Sequence, residues 1–350
     1  MRNFIFGVIS AFIILIGILA YRQNIFQPES LPYDDEQAGL DEQVVINFSH
    51  VVAENTPKGL AATRFAELVN KKSGGKVIVY IHPNGVLYND SNELEALQNG
   101  NVQMIAPSIS NMTNKLPSWQ LFDLPFLFKD DEQVAAALTG QLSESLLEEL
   151  DSLHIKGLTF WSSGFKQIAA NTPIVNIEDF EGLRIRTMPS NMLKQQYEIM
   201  HAIPITTPFT DIYEELDSMQ IAAQENTISN LFSKGYHKTH ANITLSNHGI
   251  LSYAVMINEG FWEELDTETQ QIITDSLAEM SEWQHELAIE LNEENLHKLE
   301  NNKEVSLYTM NEEETLKWQQ AVRPIYDVYA QRYKKYMKLL LNDLEVQNNK

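Results

Sequence analysis

"VVINFSHVVAENTPKGLAATRFAELVNKKSGGKVIVYIH", residues 44–82, sets two apolar runs around a segment of helical spacing. "VVINFSH" (44–50) reads as a strand. Thr56 before Pro57 is a helix-start signature, because proline's fixed φ suits the first helical position and its missing N–H is no loss there. Ala61, Phe65 and Leu68 then recur at helical intervals toward Asn70, "SGG" (73–75) halts the helix, and "KVIVYIH" (76–82) reads as a second strand. A helix around 91–99 with Leu94 and Leu97, then a strand at "VQMIAP" (102–107), complete a β-α-β-α-β order. That is the grammar of a parallel sheet covered by helices, so the fold class is α/β.

The order recurs downstream. "IKGLTFW" (155–161), "FKQIAAN" (165–171) and "LRIRTM" (183–188) read as three strands. A helix at about 190–200 follows, then "IPITTPF" (203–209), then a helix over 210–219 with Ile212, Leu216 and Met219 on one face. "IAAQEN" (221–226) and "NITLSNH" (242–248) read as further strands. Thr267 and Gln270 match a capping box. Ile273, Leu277, Met280, Leu287 and Leu291 then run toward Leu299 with no proline or glycine, which predicts a helix of roughly 45 Å at 1.5 Å per residue. Such a helix is longer than one small domain needs and could brace two. A last helix is predicted from near Asn311, with Pro324 a kink or break.

The bulk numbers restrict function. A chain of 350 residues has room for two domains, each with its own core. Acidic residues outnumber basic ones 48 to 25, which argues against nucleic acid as a partner. With no cysteine there are no disulfides, no thiolate catalysis and no lipidated cysteine. No G-x-G-x-x-G, P-loop or G-x-S-x-G is present, and "SGGK" (73–76) lacks the rest of a Walker loop. His237 and His240 lie three apart without a recognisable third ligand and read as a packed or surface pair. No catalytic residue, metal site or cofactor is predicted.

"MRNFIFGVISAFIILIGILAYRQ" (1–23) carries one early arginine and an uncharged run from Phe4 to Ala20. It reads as an uncleaved signal-anchor with Arg2 inside, because cutting after Ala20 would put Ile18 at the −3 position. A cleaved signal peptide is the alternative. Residues 24–43, with Pro28, Pro32 and a run of acids, read as a linker, and the folded body is expected from near Val44, outside the cytoplasm.

"EGLRIRTMPS" (181–190) places Arg186 in an otherwise apolar strand of a chain with only seven arginines. Arg184, nearer the strand start, reads as a surface residue. Arg186 is either salt-bridged or a ligand clamp. The turn "MPSN" (188–191) into a helix favours the clamp, since ligands of α/β sheets sit beyond the carboxyl ends of strands and helix N-termini help hold anions. A guanidinium grips a carboxylate through two parallel hydrogen bonds.

Several motifs in order carry a resemblance over about 44–340: "FSHVVAENTPKG" (48–59), "FDLPFLF" (122–128), "GFKQIAAN" (164–171), "GLRIR" (182–186), "PFTDIYEEL" (208–216), "QENTISNLFSK" (224–234) and "LSNHG" (245–249). Together they resemble the DctP family, the extracytoplasmic solute-binding proteins of TRAP transporters, in its C4-dicarboxylate-binding branch. The resemblance implies a periplasmic-binding-protein-like fold, with two α/β domains, a ligand cleft between them and a long bridging C-terminal helix. Domain I would comprise 44–163 plus 252–291, and domain II 164–251 plus 292–350. It implies a small dicarboxylate ligand such as succinate, fumarate or malate, no cofactor, and as partner either TRAP membrane permease subunits or a sensor histidine kinase.

By position, Arg186 resembles the family's carboxylate clamp and Lys166 a second cationic position. Asn226 resembles a ligand-contacting asparagine, Phe209 an aromatic wall, and His50, Lys58, Asp90 and Ser108 cleft-facing positions of the first domain. Glu225 and His248 resemble a supporting pair linked to closure. The residues alone leave plainer roles open: a solvated strand-end Lys166, a surface Lys58, a packed His50 and a core Phe209. Ala223 departs from the family's usual glycine before "QEN". Other organic acids, such as 2-oxo or sugar acids, are the rival ligands. An extracytoplasmic hydrolase is the rival class and would need an activated nucleophile that the sequence does not offer.

Overall fold

The computed structural model describes residues 43–217 and 220–348. The predicted signal-anchor, all but the last residue of the linker, and Met219 lie outside the described residues. None of the described helices is long and apolar enough to cross a membrane.

The first α/β unit follows the predicted order: β1 (Val44–Ser49), α1 (Pro57–Lys72), β2 (Val77–His82), α2 (Glu93–Gln98) and β3 (Met104–Ile105). Thr56 caps α1 by accepting from the Gly59 N–H at 3.2 Å, and Ala61, Phe65 and Leu68 face the core. Gly74 and Gly75 take positive φ and stop the helix. β1 pairs parallel with both β2 and β3. The predicted strand at 102–107 shrinks to two residues. Beyond it Pro107 has no N–H for a ladder, and the Ala106 carbonyl accepts from Lys58 Nζ at 2.8 Å instead.

Three short helices follow, α3 (Ile109–Met112), α4 (Asp131–Thr139) and α5 (Gln141–Leu147), and then β4 (Ile155–Ala170). The second unit runs β5 (Arg184–Thr187), α6 (Asn191–Ile199), β6 (Ile203–Thr206), α7 (Ile212–Asp217), β7 (Ala223–Thr227) and α8 (Ile228–Ser233). The chain then returns along β8 (Asn242–Asn258) and continues through α9 (Glu259–Glu264), α10 (Thr267–Glu300), β9 (Ser306–Thr309), α11 (Glu312–Arg332) and α12 (Lys334–Asn348).

The sheet order is β2-β1-β3-β8-β4-β7-β5-β6, with β9 paired to β8. Its flanks are parallel and its centre, where β8 meets β3 and β4, and β4 meets β7, is antiparallel. The two long central strands therefore cross from one α/β unit to the other. One end of β8 pairs with β3 (Met104↔Ile257) and the other with β9 (Asn242↔Ser306).

Four expectations are corrected. The runs 155–161 and 165–171 are one strand, β4, whose register shifts between Ser162 and Gly164 and again between Lys166 and Ile168. "SSG" resembles a turn in sequence but forms bulges in a continuous ladder. β8 continues ten residues past His248. The cap of α10 is Asp266, which accepts from the Thr269 N–H at 2.6 Å, while Gln270 Nε2 donates to the Trp262 carbonyl. Pro324 lies within α11, and the break comes at Tyr333.

Helix α10 spans 34 residues and packs Ile273, Leu277, Met280 and Leu299 into the same core as Phe48, Phe65 and Ile243. It also pairs the peptide groups that the bulges free in β4. Gln284 Oε1 accepts from the Ser162 N–H at 2.9 Å and its Nε2 donates to the Ser162 carbonyl at 2.7 Å. Asn292 donates to the Ser163 carbonyl at 2.8 Å and accepts from the Ser229 N–H at 2.9 Å. Side-chain amides thus stand in for ladder partners that the irregular strand has lost.

Gly164 sits at this point with φ +97, and a Cβ there would lie 2.6 Å from Asn292 Nδ2. Gly164→Ala is expected to lower the unfolding free energy by about 1–3 kcal/mol, from strained backbone and a displaced Asn292. Denaturant titration of the variant against wild type checks it.

Candidate functional site

A cavity lies between the two α/β units. Seven of the residues singled out in the sequence line it: Asp90, Ser108, Lys166, Arg186, Phe209, Glu225 and Asn226. Val51, Val52, Met188 and Leu251 supply apolar wall, and Asn111, Asn230 and Tyr253 supply polar wall that sequence reasoning missed.

Arg186 enters from β5, whose neighbour Ile185 points into the core. Its guanidinium is buried, and Nε and Nη2 both donate to the Thr207 carbonyl, at 2.9 and 2.8 Å. That carbonyl fixes the guanidinium plane and leaves the other N–H groups unspent. Among the described residues no carboxylate forms an ion pair with it. Burial lowers its pKa, with Asp90 and Tyr236 opposing, but arginine remains charged. Arg184, one pleat away, is exposed and donates to the Gln220 carbonyl.

Lys166 is buried on β4, not a solvated strand end, and its Nζ lies 2.9 Å from Glu225 Oε1 on the neighbouring β7. Glu225 is a hub: its Oε2 also accepts from the Tyr197 hydroxyl at 2.8 Å and from His248 Nε2 at 3.0 Å. Because Nε2 faces a carboxylate it carries the proton, and Nδ1 accepts from Ser246 Oγ at 2.8 Å. The Trp318 indole of α11 stacks on the His248 ring at 4.9 Å. Burial pushes the Glu225 carboxyl up, but Lys166 and His248 outweigh it and hold the group below the ordinary carboxylate range. Burial lowers His248, against the opposing pull of Glu225, so the ring is neutral.

Asn226 follows Glu225 near the end of β7, and both line the cavity. Its Oδ1 accepts from the Thr227 N–H at 3.0 Å and from Asn230 Nδ2 at 3.1 Å. Its own amide N–H groups are thereby the ones left for the cavity.

Among the described residues, hydrogen bonds such as the following cross from unit to unit around the cleft. Asp90 Oδ2 accepts from the Phe209 N–H, Lys234 Nζ donates to Asn84 Oδ1 at 3.0 Å, and Asn114 Nδ2 donates to the Pro189 carbonyl at 3.2 Å. The cleft is shut. The Phe209 ring stands edge-on to Tyr236 at 6.0 Å, and Ser108 caps α3 at the cavity wall.

His50 and Lys58 are not among the cavity-lining residues, contrary to the cleft-facing expectation. Lys58 lies 3.7 Å from the centre of the Tyr253 ring, with Tyr253 on the cavity wall. Burial, opposed by Glu93 and Asp90, lowers its pKa to about 8. His50 is wholly buried, neither ring nitrogen finds a partner, and burial with Lys58 nearby holds it down to about 3. His237 and His240 are packed into the core, His237 stacked on Phe232 at 5.4 Å. Tyr197 and Trp318 stand far from the other hub residues in sequence, and no local pattern announces them. Asn230, four residues after Asn226, does have a signal in that spacing.

The model of the family described as bacterial extracellular solute-binding protein, family 7 (DctP), matches residues 48–332. The C4-dicarboxylate-binding protein DctB of Bacillus subtilis is 41% identical over 302 residues, which is 86% of each chain. A TRAP periplasmic solute-binding protein of Shewanella oneidensis, solved with bound succinate, is 35% identical with a TM-score of 0.82, over 86% of this chain and 99% of that one. One from Pseudomonas aeruginosa, solved with bound L-malate, is 32% identical with a TM-score of 0.79, over 82% of this chain and 100% of that one.

A neutral buried imidazole makes stability depend on pH. Below the ordinary value near 6.5 the unfolded chain binds a proton that the folded His248 does not, so stability falls with pH there. His50 acts in the same sense, and Glu93, whose carboxyl burial pushes up to about 8, acts in the opposite one. A difference between variants therefore isolates the ring. As pH falls below about 6.5 the wild type is expected to lose stability more steeply than His248→Gln, by at most about 1.4 kcal/mol per pH unit, in denaturant unfolding.

Proposed function

Given that the chain belongs to the DctP family of bacterial extracellular solute-binding proteins, we propose that it captures C4-dicarboxylates by closing its two α/β domains around them. The observation that carries this reading is Arg186, a buried guanidinium on the cavity wall, oriented by a peptide carbonyl and without a carboxylate of its own. One carboxylate of the ligand completes its fork. Asn226 Nδ2 and the Ser108 hydroxyl donate further hydrogen bonds, Phe209 closes over the methylene chain, and Asp90 ties the domains together through the Phe209 N–H. Lys166 adds positive potential, with Glu225 and His248 holding it in place.

The domains are 44–163 with 252–291, and 164–251 with 292–350, hinged where β4 changes register. Closure is a population shift, because a ligand touching both walls binds the shut form more tightly than the open one. Residues 1–23 hold the body to the outer face of the membrane, with 24–43 as its tether, and Ile18 at the −3 position of a cut after Ala20 supports this over a secreted form. The bound acid passes to the permease subunits of a TRAP transporter or is presented to a sensor histidine kinase. No chemical step is performed on it.

Calorimetric titration of the full chain with succinate, fumarate and malate tests this reading. Saturable 1:1 binding is expected, weakened about 100-fold or more by Arg186→Ala with the circular dichroism spectrum unchanged. Binding of a sugar acid but of no C4 acid would transfer the site to the rival ligand class.

A further inference from the structure

Among the side chains that line the cavity, a single buried polar atom has no hydrogen-bond partner: Oδ1 of Asn230. Its identity as oxygen follows from a chain of donors. The Thr227 N–H can only donate, so the Asn226 atom facing it is Oδ1. That oxygen faces Asn230 at 3.1 Å, so the Asn230 atom there is the amide nitrogen, which also lies 3.4 Å from the Tyr253 hydroxyl. The carbonyl of Asn230 is left as an acceptor, fully buried at the site.

An unpaired buried acceptor costs free energy that a ligand donor recovers. Ionised carboxylates are acceptors only, so succinate and fumarate bring nothing to this oxygen and set like partial charges against it. A hydroxyl on the carbon chain is the donor that fits. We infer that Asn230 reads a hydroxyl of the bound acid, so that the site selects 2-hydroxy dicarboxylates, malate being the C4 case, over succinate and fumarate. This rests on the dicarboxylate reading above and adds a selection within it. Arg186 and Asn226 supply donors for carboxylate oxygens, and Asn230 supplies the complementary acceptor.

Calorimetry on the full chain separates the outcomes. Malate is expected to bind at least about 10-fold more tightly than succinate or fumarate, the usual scale for pairing a buried polar group. 2-Methylsuccinate, close to malate in size but without the donor, is expected to bind no better than succinate. Asn230→Leu is expected to bring malate to within about 3-fold of succinate while succinate itself moves less than that. Should the variant fail to fold, the wild-type ligand series decides alone. Equal affinities for malate and succinate, 2-methylsuccinate matching malate, or aspartate surpassing malate each overturn the role given to Asn230. Equal affinities that still depend on Arg186 leave the dicarboxylate reading standing. If none of these acids binds, both fall.

Discussion

A guanidinium taken out of water without a counter-ion is the constraint on which the site depends. Removing a charge from water costs several kcal/mol, and Arg186 recovers part of that through two bonds to the Thr207 carbonyl and the attraction of Asp90 nearby. The protein has carboxylates in abundance, yet none of the described ones pairs with Arg186. The interior is thus built with a cation in deficit of an anion. On the function proposed above, a ligand carboxylate relieves that deficit, so binding draws on electrostatic strain already present in the fold.

The second cation is treated in the opposite way. Lys166 is neutralised by Glu225, and Glu225 is saturated by Tyr197 and the neutral His248. These four residues come from β4, β7, α6 and β8, and the Trp318 stack adds α11. Such a hub stiffens the wall that faces the ligand, because moving one member leaves another buried and unpaired. On the function proposed above, the contrast assigns separate tasks: Arg186 meets the anion, and the hub keeps the surface around it in register.

Most of the frame was legible because it is local. Thr56-Pro57, the periodic Ala61, Phe65 and Leu68, and the glycines after them specify a helix whatever surrounds it. The failures share a cause. In sequence, "SSG" separates β4 into two strands because a bulge and a turn use the same residues, and only the partners on β8 and α10 distinguish them. Whether Arg186 has an ion-pair partner could not be read from its strand, since that depends on which carboxylates the fold brings near it, and none of the described ones pairs with it. Lys58 and His50 sit in a motif that runs close to the cleft, but the Tyr253 ring, some 195 residues on, covers Lys58. Tyr197 and Trp318 reach the hub only through the tertiary fold.

The formal charge of −23 looks hostile to a dianion, and distance resolves the conflict. At physiological salt the field of surface carboxylates decays within about 8 Å, whereas groups inside the shut cleft act unscreened on one another. An arriving acid therefore meets a weak repulsion outside and a strong, oriented attraction within. Partial charges of fixed peptide groups add to that attraction at no further cost of reorganisation. The acidity of the surface governs solubility and approach, while capture is decided by a handful of buried groups whose positions the crossing strands and α10 hold fixed.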